Sequence, residues 1–270
     1  MRKIMKRVGI LGAIAMLPAF AQVSRAPLSP GATPEMAPRW HAPIKGRVEH
    51  GDGSVTSDNW SGYAVTGSGF VAAEGSWIVP TMSCSSTTQY AVFWVGIDGY
   101  SSTTVEQTGT EAVCLDGTPK YTAWYEFCCT EPIITIASMT IEPGDKISAA
   151  IFYSASTEEF TVKITDERTG ASFSKSAKVA GAERSSAEWI AEAPSSNIVL
   201  PLADFGTVLF GKDNTGIAST CAAKDGATTG AISAFPTIEE ITMEKNSVME
   251  AIPSALSSDG TSFSIKWAAP

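Results

Sequence analysis

Strict alternation of side-chain character over short runs is the feature that most constrains this chain. In FWVGID (93–98), Phe93, Val95 and Ile97 alternate with Trp94, Gly96 and Asp98. In YTAWYEF (121–127), Tyr121, Ala123, Tyr125 and Phe127 alternate with Thr122, Trp124 and Glu126. In AEWIAE (187–192), Ala187, Trp189 and Ala191 alternate with Glu188, Ile190 and Glu192. A period of two belongs to strands, whose successive side chains point to opposite faces. Comparable runs fall at 60–66, 69–78, 103–113, 133–140, 146–154, 159–166, 171–179, 205–210, 237–243 and 261–267. Turn signals such as Asp116-Gly117, Pro143-Gly144-Asp145 and Asp259-Gly260 separate them. No long amphipathic helical pattern competes. Many short strands of this kind predict an all-β fold, an antiparallel sandwich or barrel.

The same alternation sorts faces. The more uniformly apolar set reads as core. The other set brings Trp and a carboxylate together on more than one strand. A concave sheet face of that composition suits a polymer groove, with flat apolar rings to lie against and acids to hydrogen-bond or catalyse.

The N-terminus reads separately. Arg2, Lys3, Lys6 and Arg7 precede an apolar run from Val8 to Leu17 and a small-x-small site at Ala19-Phe20-Ala21. That is a secretory signal, residues 1–21, too short to span a membrane. Residues 22–53 are rich in Pro and Gly without periodicity and read as a pro-segment or disordered leader. Residues 54–270 then form one β-domain. The expected location is extracellular.

Charge splits at this boundary. Residues 1–50 carry 8 Lys and Arg against 2 Asp and Glu, whereas residues 51–270 carry 11 against 26. An acidic body repels nucleic acid and anionic membranes, so neither is an expected partner. A body with few cations to pair its carboxylates is expected to work in acid. The basic leader is expected to lie across the acidic groove.

Both histidines, His41 and His50, fall in the leader. A body without histidine excludes Ser-His-Asp and Cys-His nucleophile systems, histidine-ligated metal sites and a histidine pH switch. No metal or organic cofactor is implied. Five cysteines (Cys84, Cys114, Cys128, Cys129, Cys221) fit export and disulfides, with one left over and the connectivity open. Glu188 and Glu192 sit about 13 Å apart along one strand face at roughly 3.3 Å per residue. That is too far for either geometry of a glycosidase acid pair, so a jelly-roll glycosidase needs a partner from another strand, such as Asp98 or Glu126. A non-catalytic module holding glycan or peptide on its Trp residues is a further alternative.

Six stretches in order resemble one family: NWSGYAV (59–65), GSWIVPT (75–81), FWVGIDGY (93–100), VEQTGT (105–110), YTAWYEF (121–127) and AEWIAE (187–192). The resemblance is to the glutamic peptidases, or eqolisins, from about residue 59 onward. It implies a lectin-like jelly-roll β-sandwich with a concave substrate groove, secretion with a pro-segment, and acid-acting endopeptidase activity on protein and peptide substrates. It places the catalytic pair on Gln107 and Glu192. Trp94, Asp98, Trp124 and Glu126 match groove positions that bind substrate or support the pair. Thr122 stands where fungal members commonly have Asp close to the catalytic Glu, so the tuning of Glu192 is expected to differ. Glu188 is read as support, and the protein is expected to act as a monomer.

Overall fold

The computed structural model describes residues 41–51, 54–129, 132–218 and 220–269. The signal at 1–21 and the leader up to residue 40 lie outside the described residues. Among the described residues, eighteen strands account for most of the regular structure. They begin with β1 (Val48–Glu49), β2 (Val55–Ser57), β3 (Trp60–Thr66), β4 (Ala72–Ile78), β5 (Gln89–Ile97) and β6 (Val105–Leu115). Next come β7 (Thr118–Cys128), β8 (Ile134–Thr135), β9 (Lys146–Ser154), β10 (Glu159–Asp166), β11 (Ser172–Ala177) and β12 (Ser186–Glu192). The last are β13 (Thr207–Gly211), β14 (Ala222–Lys224), β15 (Thr229–Ala231), β16 (Ile238–Lys245), β17 (Val248–Pro253) and β18 (Ser262–Trp267). A four-residue helix, α1 (Lys212–Thr215), follows β13. Among the described residues, no helix is long and apolar enough to cross a membrane.

Pairing runs β8–β7–β6–β5–β12–β3–β16 in one layer. It runs β11–β10–β9–β4–β13–β18–β17 in the other. The β16–β17 hairpin joins the two, so one continuous sheet folds over on itself. These pairings are antiparallel; β2 lies parallel to β16. The product is the expected all-β antiparallel sandwich.

The core between the layers takes the predicted face. Phe93, Val95, Ile97, Ala123, Ala187, Trp189 and Ala191 are buried there with Trp77, Ile147, Ile151 and Phe210. Each large apolar side chain so buried contributes about 1.5–3 kcal/mol against exposure. Trp189 also satisfies its N–H, donating to the Glu74 carbonyl at 2.8 Å.

Several segments depart from the expected strands, the short β1, β2, β14 and β15 among them. Only Ile134–Thr135 of the run 133–140 pairs, although Ile136, Met139 and Ile141 still bury their side chains in the core. Strand β17 was not expected. The turn before it is Asn246-Ser247, both at positive φ (53° and 64°). That geometry makes a two-residue hairpin, but without the Asn-Gly signature that announces one. The disulfides are Cys84–Cys114 and the adjacent pair Cys128–Cys129, with Cys221 free and buried.

Candidate active site

The outer face of the β7–β6–β5–β12 layer is built in rows by its register. Glu126, Gln107, Gly96 and Glu188 lie across one row. Trp124, Gly109, Trp94 and Ile190 make the next. Thr122, Glu111, Val92 and Glu192 make the third. Gly109 is small because it must be: a Cβ there would meet the Phe93 carbonyl oxygen at 2.1 Å and the Trp94 Cβ at 2.7 Å. Its absence leaves room for Trp94 and Trp124, which stand on either side of it in the row.

This face, expected as a groove with the basic leader across it, is covered. Residues 41–47 of the leader lie on it, and Trp94, Trp124, Gln107 and Glu192 are fully buried. Ile44 packs against a second apolar cluster that contains Trp60, Trp94, Trp124, Val105 and Ile190. The His41 ring meets Trp124 edge to face at 3.7 Å. Arg47 caps Tyr100, 4.5 Å from its ring centre, and donates to the Tyr100 carbonyl at 2.8 Å.

Gln107 and Glu192 are two strands and two rows apart, yet both side chains reach the same peptide. Gln107 Nε2 donates to the His41 carbonyl oxygen at 2.6 Å. The next backbone N–H, that of Ala42, interacts with the Glu192 carboxylate. Glu126 sits directly across from Gln107. Its Oε2 accepts from Gln107 Nε2 at 3.0 Å and from the His41 N–H at 3.1 Å. The amide of Gln107 is thereby oriented with its N–H edge toward the peptide. Glu192 Oε2 accepts the Trp94 Nε1–H at 2.8 Å.

Burial pushes the Glu192 carboxyl well above the ordinary carboxylate range, and nearby Glu126 pushes it the same way. The Trp94 indole N–H, the Ala42 N–H and Lys45 pull it back. Glu126 is raised chiefly by burial too, against the two hydrogen bonds it accepts and with Glu111 adding to the rise.

The other predicted residues have different surroundings. Asp98 follows β5 directly, at φ 72°, and ties down the loop before β12. Its carboxylate accepts the backbone N–H groups of Glu183, Arg184 and Ser185 at 2.7–2.9 Å, with the Ser185 hydroxyl at 3.0 Å. Thr122 is half-buried and lies three strands from Glu192, with Glu111 as its direct neighbour. Glu188 is fully buried, and Glu106 lies close enough to act on it. Burial raises both carboxyls, and Asp98 adds to each rise.

Four residues escaped the sequence reading. Trp60 Nε1 donates to the Ala42 carbonyl at 3.1 Å, and Asn59 Oδ1 accepts the Lys45 N–H at 2.7 Å. Glu111 shares the Gln107 face by simple alternation, which was signal enough. His41 carried no periodic signal, because it lies outside any strand. Among the described residues, no group of three or more His, Cys, Asp or Glu side chains could hold a metal ion.

Gln107 and Glu192 thus share one buried face on the outside of a folded-over antiparallel sheet, and that face is the candidate site. The Peptidase A4 family model matches residues 58–267, and the chain belongs to that family. It is 30% identical over 177 residues to Aspergillopepsin-2 of Aspergillus niger, a match spanning 57% of this chain and 62% of that protein's length. The structure of scytalido-glutamic peptidase with a transition state analog inhibitor superposes with a TM-score of 0.65 at 25% identity, covering 78% of this chain and 98% of that one. Aspergilloglutamic peptidase from Aspergillus niger gives 0.56 at 26% identity, covering 67% and 99%.

Proposed function

We propose that this chain is a secreted endopeptidase that hydrolyses protein and peptide substrates in acid with the pair Gln107 and Glu192. The observation that carries the reading is the Gln107 Nε2–H donated to the His41 carbonyl oxygen at 2.6 Å, with Glu192 near the same peptide unit. Family membership supports it. So does a relative solved in complex with the tripeptide Ala-Ile-His, with a TM-score of 0.62 at 25% identity.

The chemistry follows from the atoms. Glu192, in the fraction that is ionised, takes a proton from a water that attacks the carbonyl carbon, then passes it to the departing nitrogen, a step its raised pKa favours. Negative charge grows on the carbonyl oxygen as the tetrahedral intermediate forms. Gln107 Nε2 already donates to that oxygen, and one such donor is worth about 2.7–4 kcal/mol of barrier. A carboxamide does not ionise, so the donor persists in acid. Glu126 holds the amide in place and binds the N–H on the acyl side of the bond. Trp94 and Trp124 supply the apolar walls. Thr122 lies at the rim of the same face, and Asp98 supports it through the loop it anchors. Secretion rests on the signal pattern at 1–21, and the leader at 22–53 is read as a pro-segment removed before activity on other proteins.

Digestion of an unfolded protein by the purified, acid-treated protein tests this, run from acid to neutral pH with a chelator present. Cleavage in acid that resists the chelator and is absent from Glu192→Gln and Gln107→Ala is expected. Near wild-type turnover by either variant overturns the pair. Binding of glycan or peptide without turnover would replace the peptidase by a binding module, and release of reducing sugar would replace it by a glycosidase.

A further inference from the structure

We infer that the bond between His41 and Ala42 is the first bond this site cuts, within its own chain. The inference rests on the peptidase reading above and names that site's first substrate. Successive backbone groups of the segment meet partners on the body. The His41 N–H donates to Glu126 Oε2 at 3.1 Å, and the His41 carbonyl accepts from Gln107 Nε2 at 2.6 Å. The Ala42 N–H meets Glu192, and the Ala42 carbonyl accepts from Trp60 Nε1 at 3.1 Å. Beyond it, the Ile44 N–H donates to the Gly99 carbonyl at 3.1 Å and the Lys45 N–H to Asn59 Oδ1 at 2.7 Å.

A segment that merely blocks a groove needs shape and apolar contact. This one also matches function to function. Its electrophilic carbonyl accepts from the charge-stabilising donor, and the acid/base stands near the nitrogen that must leave. That juxtaposition is the protein's share of a near-attack arrangement, to which the attacking water is added. The register is held from both sides, by the His41 ring on Trp124 and by Ile44 and Lys45 on the body. Neighbouring peptides are therefore kept off the pair.

In the reaction, the oxygen of water bonds to the His41 carbonyl carbon as Glu192 takes the water proton. The carbon–nitrogen bond then breaks as Glu192 returns a proton to the Ala42 nitrogen. The products are a carboxyl terminus at His41 and an amino terminus at Ala42. Water is the only co-reactant, and nothing is oxidised or reduced.

Intact-mass measurement and N-terminal sequencing of the full chain after a shift to acid test the inference. A fragment beginning at Ala42 is expected as the first product, forming with a half-time that does not change on dilution. Glu192→Gln is expected to yield none of it. Ala42→Pro removes the N–H that Glu192 meets and is expected to abolish this cut. A first cut at another bond overturns the inference, as does the same fragment from Glu192→Gln or a rate that scales with concentration. Unfolded protein added to the same sample separates the two readings. Digestion of that protein with His41–Ala42 left intact overturns this inference alone, whereas cleavage of neither overturns the peptidase reading with it.

Discussion

Gln107 and Glu126 face one another across β6 and β7, with the carboxamide nitrogen 3.0 Å from a carboxylate oxygen. Because that oxygen also accepts the His41 N–H, one acid both orients the amide and binds the backbone beside the bond to be cut. Removing it frees the Gln107 amide to turn its carbonyl toward the substrate.

Glu126→Ala is therefore expected to lower kcat by about 10- to 100-fold, the scale of one hydrogen bond to a charged group. Glu126→Gln keeps an acceptor for Gln107 and is expected to recover much of that loss. Steady-state kinetics of both variants on a peptide substrate check this, and equal losses would remove Glu126 from the orienting role.

Trp94→Phe keeps the ring but deletes the N–H that Glu192 Oε2 accepts. That bond favours the ionised form, so its loss raises the Glu192 pKa further. The acid limb of the kcat–pH profile is expected to move to higher pH. An unmoved limb would mean that Glu192 does not limit the rate there.

Acid stability has a definite sign. Burial raises Glu106, Glu126, Glu188 and Glu192 above their ordinary values. The folded state thus holds these protons more tightly than the unfolded chain. The stabilisation is complete below the ordinary carboxylate value of about 4.3 and is lost as pH rises through the folded values above it. Calorimetry is expected to give a higher Tm near pH 4 than at higher pH, where the four buried acids are driven to ionise. Glu188→Gln, which cannot titrate, is expected to flatten that slope.

Gly109→Ala drives a methyl onto the backbone of β5, where nothing flexible can yield. Overpacking of this kind costs about 1–3 kcal/mol. Denaturant unfolding is expected to show a midpoint lowered accordingly, with activity impaired by displacement of Trp94.

Much of this site was legible in the alternation of residues. A period of two placed Trp94, Gly96, Trp124, Glu126, Glu188 and Glu192 on one face and Phe93, Val95, Ala123 and Trp189 on the other, and the layers bury the second set as expected. Even Gln107 opposite Glu126 needs little more than the short Asp116-Gly117 hairpin that joins their strands. The strand at 248–253 was not legible, because its turn takes a left-handed conformation without a glycine to betray it.

What the sequence by itself determined is the class of fold and the chemistry available on each face, since side-chain direction along a strand is a local, geometric consequence of the pleat. Only the tertiary structure decided which of those groups meet. Gln107 and Glu192 are on strands separated by β5, and their convergence depends on the twist of the sheet and the length of the two side chains. The separation of Glu192 from Glu188 is likewise tertiary: Trp94 and Ala42 surround the first, Asp98 and Glu106 the second. The cover over the pair, residues 41–47, has no strand period to announce it. Its place is set by partners such as Trp60, Asn59, Gly99 and Glu126, which come together only when the sheet has formed.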